Sequence, residues 1–408
     1  VLSPWRSGSI RAPAVVGQRL RSGAIRHAGV ADRATTVKHA RMDAAARVLQ
    51  DPAVAYVGRL GPLYRLMVVN LLLTLVTLGI FRFWARTRLR RFLWANTLLA
   101  SEPFEYTGTG GELLRGFLRA LLVVLPIGLL IAAAQLFLPG DIAPLVSLGV
   151  YLLLGFLGLV GSFAAQRYQL RRSTWRGIRF GIDGSPFAYG RQMAWRWLLA
   201  PLTFFLMLPW IAAAGLHRTL GRARFGSVRF GFTGEGGTLF PWMILAIGAF
   251  WLALMPGMAI AGGVIWAAFS LVVTPDPGTA PDAAMAGAIL AGFGALAAMM
   301  AFAFTIAGAI YRAATLRFTY ENLRLHQVRF GFTPSIARTA RFLIGNALLA
   351  LLSLGLLLPL ALHRRMRFLA AGVTVRGTLD LAAVGQADPG EPYGEGLADA
   401  LGLESGPI

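Results

Sequence analysis

Five histidines, His27, His39, His217, His326 and His363, are scattered over 408 residues without HxxH or HExxH spacing. Metal sites need ligands at such clustered spacings. Cysteine is absent, which removes thiolate ligation, disulfides and a thiol nucleophile. No carboxylate pair or Ser-His arrangement stands out. Neither a cofactor nor an enzymatic activity is expected. What remains is arginine: Lys38 is the only lysine in a chain of formal net charge +21. The guanidinium fork binds phosphate oxygens bidentately, so Arg86, Arg88, Arg90 and Arg91, Arg171 and Arg172, and Arg364, Arg365 and Arg367 are candidate contacts to lipid headgroups. A GC-rich genome's codon preference is the plain alternative source of arginine.

Glycine turns are the second candidate chemistry. Gly108-Thr109-Gly110-Gly111 and Gly234-Glu235-Gly236-Gly237 could present backbone N–H groups to a phosphate where a helix begins. Neither carries a P-loop lysine, Glu112 and Glu235 oppose an anion, and turn geometry alone accounts for such glycines.

The elements that must position these groups are apolar. The chain is 56% hydrophobic and 14% charged, against about 25% charged in soluble domains. Uncharged runs extend between Arg119 and Asp141, Asp141 and Arg167, Glu235 and Asp276, and Asp282 and Arg312, each long enough to cross a bilayer as a helix. None holds an Asp, Glu, Lys, Arg or His, which disfavours proton-coupled transport; Gln135 and Tyr151 are their notable polar side chains. A passive path lined by broken helices stays open. The loops at Pro139–Asp141 and Thr274–Asp282 lack arginine while the other connections are rich in it. The positive-inside rule then gives two transmembrane hairpins, about 117–166 and 239–311, with extracytoplasmic tips and cytoplasmic termini. That rule accounts for the charge without a nucleic-acid partner. Pro256-Gly257 leaves open a split of the third run.

Short segments repeat. Phe104-Glu105-Tyr106-Thr107-Gly108, Phe180-Gly181-Ile182-Asp183-Gly184, Phe230-Gly231-Phe232-Thr233-Gly234 and Phe330-Gly331-Phe332-Thr333-Pro334 each read as a strand running into a tight turn. Asn70 to Leu93 aligns without a gap on Asn346 to Leu369. Three units follow, about 55–115, 178–238 and 328–384, marked by turns at Gly79, Thr107, Gly108, Gly110, Thr233, Gly234, Thr333 and Gly355. Their apolar segments, 66–81, 197–216 and 342–362, have arginines at both ends. They are expected to enter the membrane from the cytoplasmic side and return, breaking near Gly79, Pro209 and Gly355/Pro359; seven plain crossings is the alternative. Residues 1–50 read as a disordered basic segment, with Met42 as another start, residues 51–384 as the membrane domain, and residues 385–408 as a disordered acidic tail.

The run from Asn70 through Gly79-Ile80-Phe81-Arg82-Phe83-Trp84-Ala85-Arg86 and Arg90-Arg91, then Asn96-Thr97 and Phe104 to Gly110, resembles the YjgN-like family of bacterial inner-membrane proteins. The likeness covers about Tyr56 to Val384 and is clearest over 56–115; after Gly355, Leu360 stands where Trp84 would recur. The resemblance implies an inner-membrane location and a domain of unknown function, with no catalytic residues to carry over.

The expected fold is an all-α polytopic membrane protein: two transmembrane hairpins, three short helix units, and short cytoplasmic strands paired in a small layer. The expected function is a non-enzymatic module that binds or organises anionic lipid through an arginine-rich inner face. A channel or carrier for a small or amphiphilic solute is the alternative. Protein partners and oligomeric state are not legible in the sequence.

Overall fold

The computed structural model describes residues 46–49, 54–273, 281–380 and 384–385. Helices dominate, but the all-α expectation is overturned: the strands form one eleven-stranded antiparallel sheet that curls into a nearly closed barrel. The strands are β1 (Ala46–Leu49), β2 (Val54–Tyr56), β3 (Thr97–Leu99), β4 (Glu102–Tyr106), β5 (Ser173–Trp175), β6 (Ile178–Ile182), β7 (Ala223–Phe225), β8 (Val228–Phe232), β9 (Leu323–Leu325), β10 (Val328–Phe332) and β11 (Val373–Asp380). Three to five residues give almost no periodic signal alone, so a sequence reading sees helices separated by fragments. Only pairing across the chain makes the barrel. β1 falls within the segment expected to be disordered and pairs with β11; the acidic tail beyond Gly385 lies outside the described residues.

Strands β2 to β11 pair in chain order. Two-residue turns join β3–β4, β5–β6, β7–β8 and β9–β10, and φ is positive at Ala100, Ser101, Arg176, Gly177, Gly226 and His326. Such turns match the strand twist. The alternate connections are helical hairpins: α1 (Leu60–Val76) with α2 (Arg82–Ala95), α3 (Gly110–Phe137) with α4 (Ala143–Arg171), α5 (Pro186–Leu199) with α6 (Leu208–Thr219), α7 (Phe240–Val273) with α8 (Pro281–Glu321), and α9 (Ile336–Leu352) with α10 (Leu358–Gly372). In an antiparallel meander, tight turns and helical connections must lie at opposite ends. All the hairpins therefore rise from one end of the barrel.

The register explains the repeated aromatic motif. Val54 faces Leu99, Phe104 faces Trp175, Phe180 faces Phe225, Phe230 faces Leu325 and Phe330 faces Val375. Side chains alternate faces along a strand, so these pairs form one ring lining the lumen. Two residues on, Tyr106, Ile182, Phe232 and Phe332 are buried beneath the helices. The residue between them faces outward and is small where space is short: a Cβ at Gly331 would lie 2.6 Å from Thr374 Oγ1.

Among the described residues, four helices are long and apolar enough to cross a membrane, over Gly110–Phe137, Ala143–Arg171, Gly236–Ala267 and Ile289–Glu321. α7 runs unbroken through Pro256; Gly257 there faces Met299 so closely that a Cβ would lie 2.3 Å from its Cβ. Gln135 of α3 donates to Ser147 Oγ of α4 at 2.8 Å, a link between spanning helices that typically contributes about 0.6 kcal/mol.

Each long hairpin is seated on the short one before it. Gly110, opening α3, sits against the Trp84 ring, and Gly236, just before α7, sits against the Trp210 backbone, with Cβ approaches of 2.6 Å in both. In α10 Leu360 stands at the matching place, and the helix leads into β11. Gly236→Ala should destabilise by about 1–3 kcal/mol, the range for overpacking, because its nearest neighbour is backbone. Gly237→Ala, with nothing within 4 Å, is the control. Equal melting temperatures of the two variants in detergent would refute the seating.

Candidate functional site

The three short hairpins share a construction. α1 ends at Val76 and the chain reverses through Leu78 (φ 50°) and Gly79 (φ 90°); α9 ends at Leu352 and reverses through Leu354 (φ 48°) and Gly355 (φ 86°). The middle hairpin reverses through Phe204 (φ 49°) and Phe205 (φ 62°). Thr77 Oγ1 accepts from Phe81 N at 2.9 Å, and Ser353 Oγ accepts from Leu357 N at 3.1 Å. Asn70 Nδ2 donates across its hairpin to Ala85 O at 3.3 Å, and Asn346 Nδ2 to Ala361 O at 2.8 Å. In the first and last hairpins these bonds occupy turn backbone groups, while the side chains at all three tips are apolar and bare: Leu78 is 93% exposed, Phe204 88% and Leu354 92%. Pro209 and Pro359 stand in the first turns of α6 and α10, where a missing N–H costs nothing, so they open the returning helices.

The arginines divide into two groups. Arg91 Nη2 donates to Gly108 O at 2.7 Å and Arg90 Nη1 to Tyr106 Oη at 3.2 Å. Arg172 pairs with Glu112 Oε1 at 2.6 Å, and Tyr168 donates to the other oxygen of Glu112 at 2.5 Å. These groups fasten helices to strand exits and α3 to α4. His217 repeats the Arg91 contact in the middle hairpin, its Nε2 lying 2.8 Å from Gly234 O. Arg88 lies over the Phe81 ring and Arg364 over the Phe342 ring, at 4.8 and 5.8 Å; both, with Arg367, are exposed on the returning helices, and Arg86, Arg171 and Arg365 are half-buried. Arg82, beside the first tip, is exposed and lies over the Phe83 and Phe117 rings at 5.0 and 4.9 Å.

The threonine and glycine turns are strand clamps. Thr107 N donates to Arg172 O at 2.8 Å, Thr233 N to Asn322 O at 3.2 Å and Thr333 N to Gly372 O at 2.9 Å. Gly108 and Gly234 pack against the Tyr106 and Phe318 rings. Packing accounts for Gly108, Gly110, Gly234 and Gly236. Among the described residues no group of three or more His, Asp or Glu is placed to hold a metal ion.

Two features were not anticipated. Outside the barrel, Arg224 faces Arg229, and Arg329 faces Arg324 on one side and Arg376 on the other. Like charges directly opposite destabilise a sheet; Asp183 lies 3.3 Å from both Arg224 and Arg229. The alternation in Val-Arg-Phe-Gly-Phe at 228–232 and 328–332 carries that signal, since it sets arginine on the face opposite phenylalanine. Inside the barrel lies an apolar cavity of ≈ 350 Å³, which no sequence pattern reveals.

Glu112→Gln should cost about 1.5–3 kcal/mol, the range for a hydrogen bond to a charged group, read as a melting shift that Arg172→Gln does not deepen in the double variant. His363 packs edge-on against Tyr56 at 5.6 Å with its Nδ1 buried and unpartnered. Burial, and after it the Arg367 charge, lower its pKa from 6.5. The unfolded chain therefore takes up the proton first as pH falls below about 6.5, and stability drops from there toward the folded pKa. The melting temperature should fall between pH 7.5 and pH 5, and His363→Gln should flatten that fall; an unaltered profile would discount His363.

The chain spans only about a third of the curated relatives it matches. It is 31% identical over 158 residues to inner membrane protein YjgN of Salmonella typhimurium (strain LT2), covering 38% of this chain and 36% of that one. It is 32% identical over 124 residues to inner membrane protein YjgN of Escherichia coli O157:H7, covering 30% and 29%. No solved structure matches. The family described as bacterial protein of unknown function (DUF898) matches residues 51–400. With that match running through barrel, short hairpins and spanning helices alike, the chain belongs to this YjgN-like family.

Proposed function

We propose that the protein is a non-enzymatic lipid-binding module of the bacterial inner membrane, anchored by two transmembrane hairpins. The three short hairpins dip into the cytoplasmic leaflet, and the barrel stands beneath it. The observation that carries this reading is the graded chemistry of the short hairpins: bare Leu78, Phe204 and Leu354 at the tips, then exposed basic residues on the returning helices, arginines in the first and last and His217 in the middle one. Arg88 lies six residues beyond the start of α2, roughly 9 Å along the axis at 1.5 Å per residue. That distance fits the ~5–10 Å to which interfacial helices bury their apolar part, and arginine then meets the anionic headgroups. Large exposed apolar surface is stable only where lipid or protein covers it. A full crossing would instead leave the tips in water on the far side. The names of the relatives support the location, and the loop charges the orientation.

The test uses the full chain in nanodiscs of mixed phosphatidylglycerol and phosphatidylcholine. At about 1 kcal/mol per basic residue near an anionic surface, the triple variant Arg88→Gln, Arg364→Gln, Arg367→Gln should lose roughly tenfold or more of its phosphatidylglycerol enrichment at unchanged melting temperature. Unchanged enrichment would sink the headgroup reading. In intact cells, an impermeant thiol reagent should label Gly140→Cys and spare Leu78→Cys and Arg229→Cys; labelling of Leu78→Cys would replace re-entry by crossing.

A further inference from the structure

We infer that the barrel lumen is a binding site for a single hydrocarbon chain, entering from the helical side. The inference rests on the membrane placement proposed above but not on its arginine contacts. The cavity of ≈ 350 Å³ is lined by Phe104, Trp175, Phe180, Phe225, Phe230 and Phe330 together with aliphatic residues of the same ring. Folded interiors hold few voids larger than a water molecule, whereas volumes of about 300–1,000 Å³ are those of ligand pockets. The space follows from the architecture. About eight strands make a barrel that side chains can fill; here β2 to β11 surround the lumen, and their few residues supply one ring rather than several layers.

The lining selects the ligand. It contains no Asp, Glu, His, Lys or Arg, and Tyr320 brings its one phenol. Thr97 donates its hydroxyl to Leu93 O at 2.8 Å and Trp175 its Nε1 to Glu102 O at 3.4 Å, so neither offers its donor to the lumen. Water needs two to four polar partners in such a site and the single Tyr320 hydroxyl does not supply them, whereas hydrocarbon needs none. At the ~30 Å³ a water-sized group occupies in a liquid, the cavity holds about a dozen methylene-sized groups.

Access is one-sided. At the turn end, Val384 is buried with Trp175, Phe225 and Leu325, and its neighbour Gly385 exchanges two hydrogen bonds of 3.0 Å with Ser227 of the β7–β8 turn. At the other end Met366, Leu369 and Ala370 of α10 border the cavity. α10 lies against β2, and β2 is an end of the sheet, approached by β11 without a ladder between them. The lumen thus communicates with the side from which the membrane helices rise.

Photocrosslinking of the full chain in nanodiscs tests this, with two probes: a fatty acid bearing a diazirine near its chain end, and phosphatidylglycerol bearing the same group on one acyl chain. Adducts are expected on the strand peptides carrying Trp175, Phe225 and Phe230, as well as on the spanning helices. Val375→Trp, which fills the lumen, should cut the strand adducts at least tenfold and leave those on α3 and α4. Phe230→Ala, which adds space and guards against a filled variant that does not fold, should shift labelling toward longer chains. Strand labelling by the fatty acid alone identifies a free acid as the chain's source; labelling by the phospholipid identifies a membrane lipid. Adducts confined to the spanning helices and hairpin tips, or strand adducts indifferent to both variants, would overturn the inference. Strand adducts that persist when the arginine variants leave lipid enrichment unchanged would sink the headgroup reading alone.

Discussion

Everything in this molecule depends on one backbone constraint: strands of a few residues cannot satisfy their N–H and C=O groups except against one another. The chain meets it by pairing each strand with the next in order around a ring. Local pairing needs little loop closure when the connection is a two-residue turn, and a helical hairpin brings its ends back together for the alternate connections. Ring order then fixes which end carries helices. The polarity of the whole protein, turns on one side and apolar hairpins on the other, is a topological consequence of that pairing.

The same constraint shapes the hairpins. A reversal at membrane depth is tolerable only if its freed backbone groups find partners. Here Thr77 and Ser353 accept the N–H groups that follow the turn, and Asn70 and Asn346 bridge to the opposite helix. Non-glycine residues in the left-handed region, Leu78, Phe204, Phe205 and Leu354, carry strain of about 1–3 kcal/mol each. Burial of their side chains in lipid would offset it, and water would not. At the base of the first long hairpin, Glu112, Tyr168 and Arg172 close a polar cluster in which each charge has a partner.

Arginine plays more than one part. Some guanidinium groups are structural ties from returning helix to strand exit, a task that His217 performs in the middle hairpin. Others stay exposed on the helices or face one another across the outer barrel wall. A count of basic residues cannot separate these roles. Arg90, Arg91 and Arg172 make bonds inside the protein, while Arg88, Arg364 and Arg367 are exposed on the returning helices.

The sequence by itself determined the long apolar helices, because uncharged runs of that length are long enough to cross a bilayer, and it marked the chain reversals at Gly79 and Gly355. It also marked the strands, through Phe-Gly-Phe alternation ahead of Thr233 and Thr333. What it could not determine was that those fragments make a barrel, or that Gly110 and Gly236 exist to seat on Trp84 and Trp210. Partners such as Phe104 and Trp175 lie on strands separated by a whole long helical hairpin, and no local period connects them. Tertiary structure alone decided the lumen, because a cavity is the space left after every ring residue is placed, and no single residue encodes it.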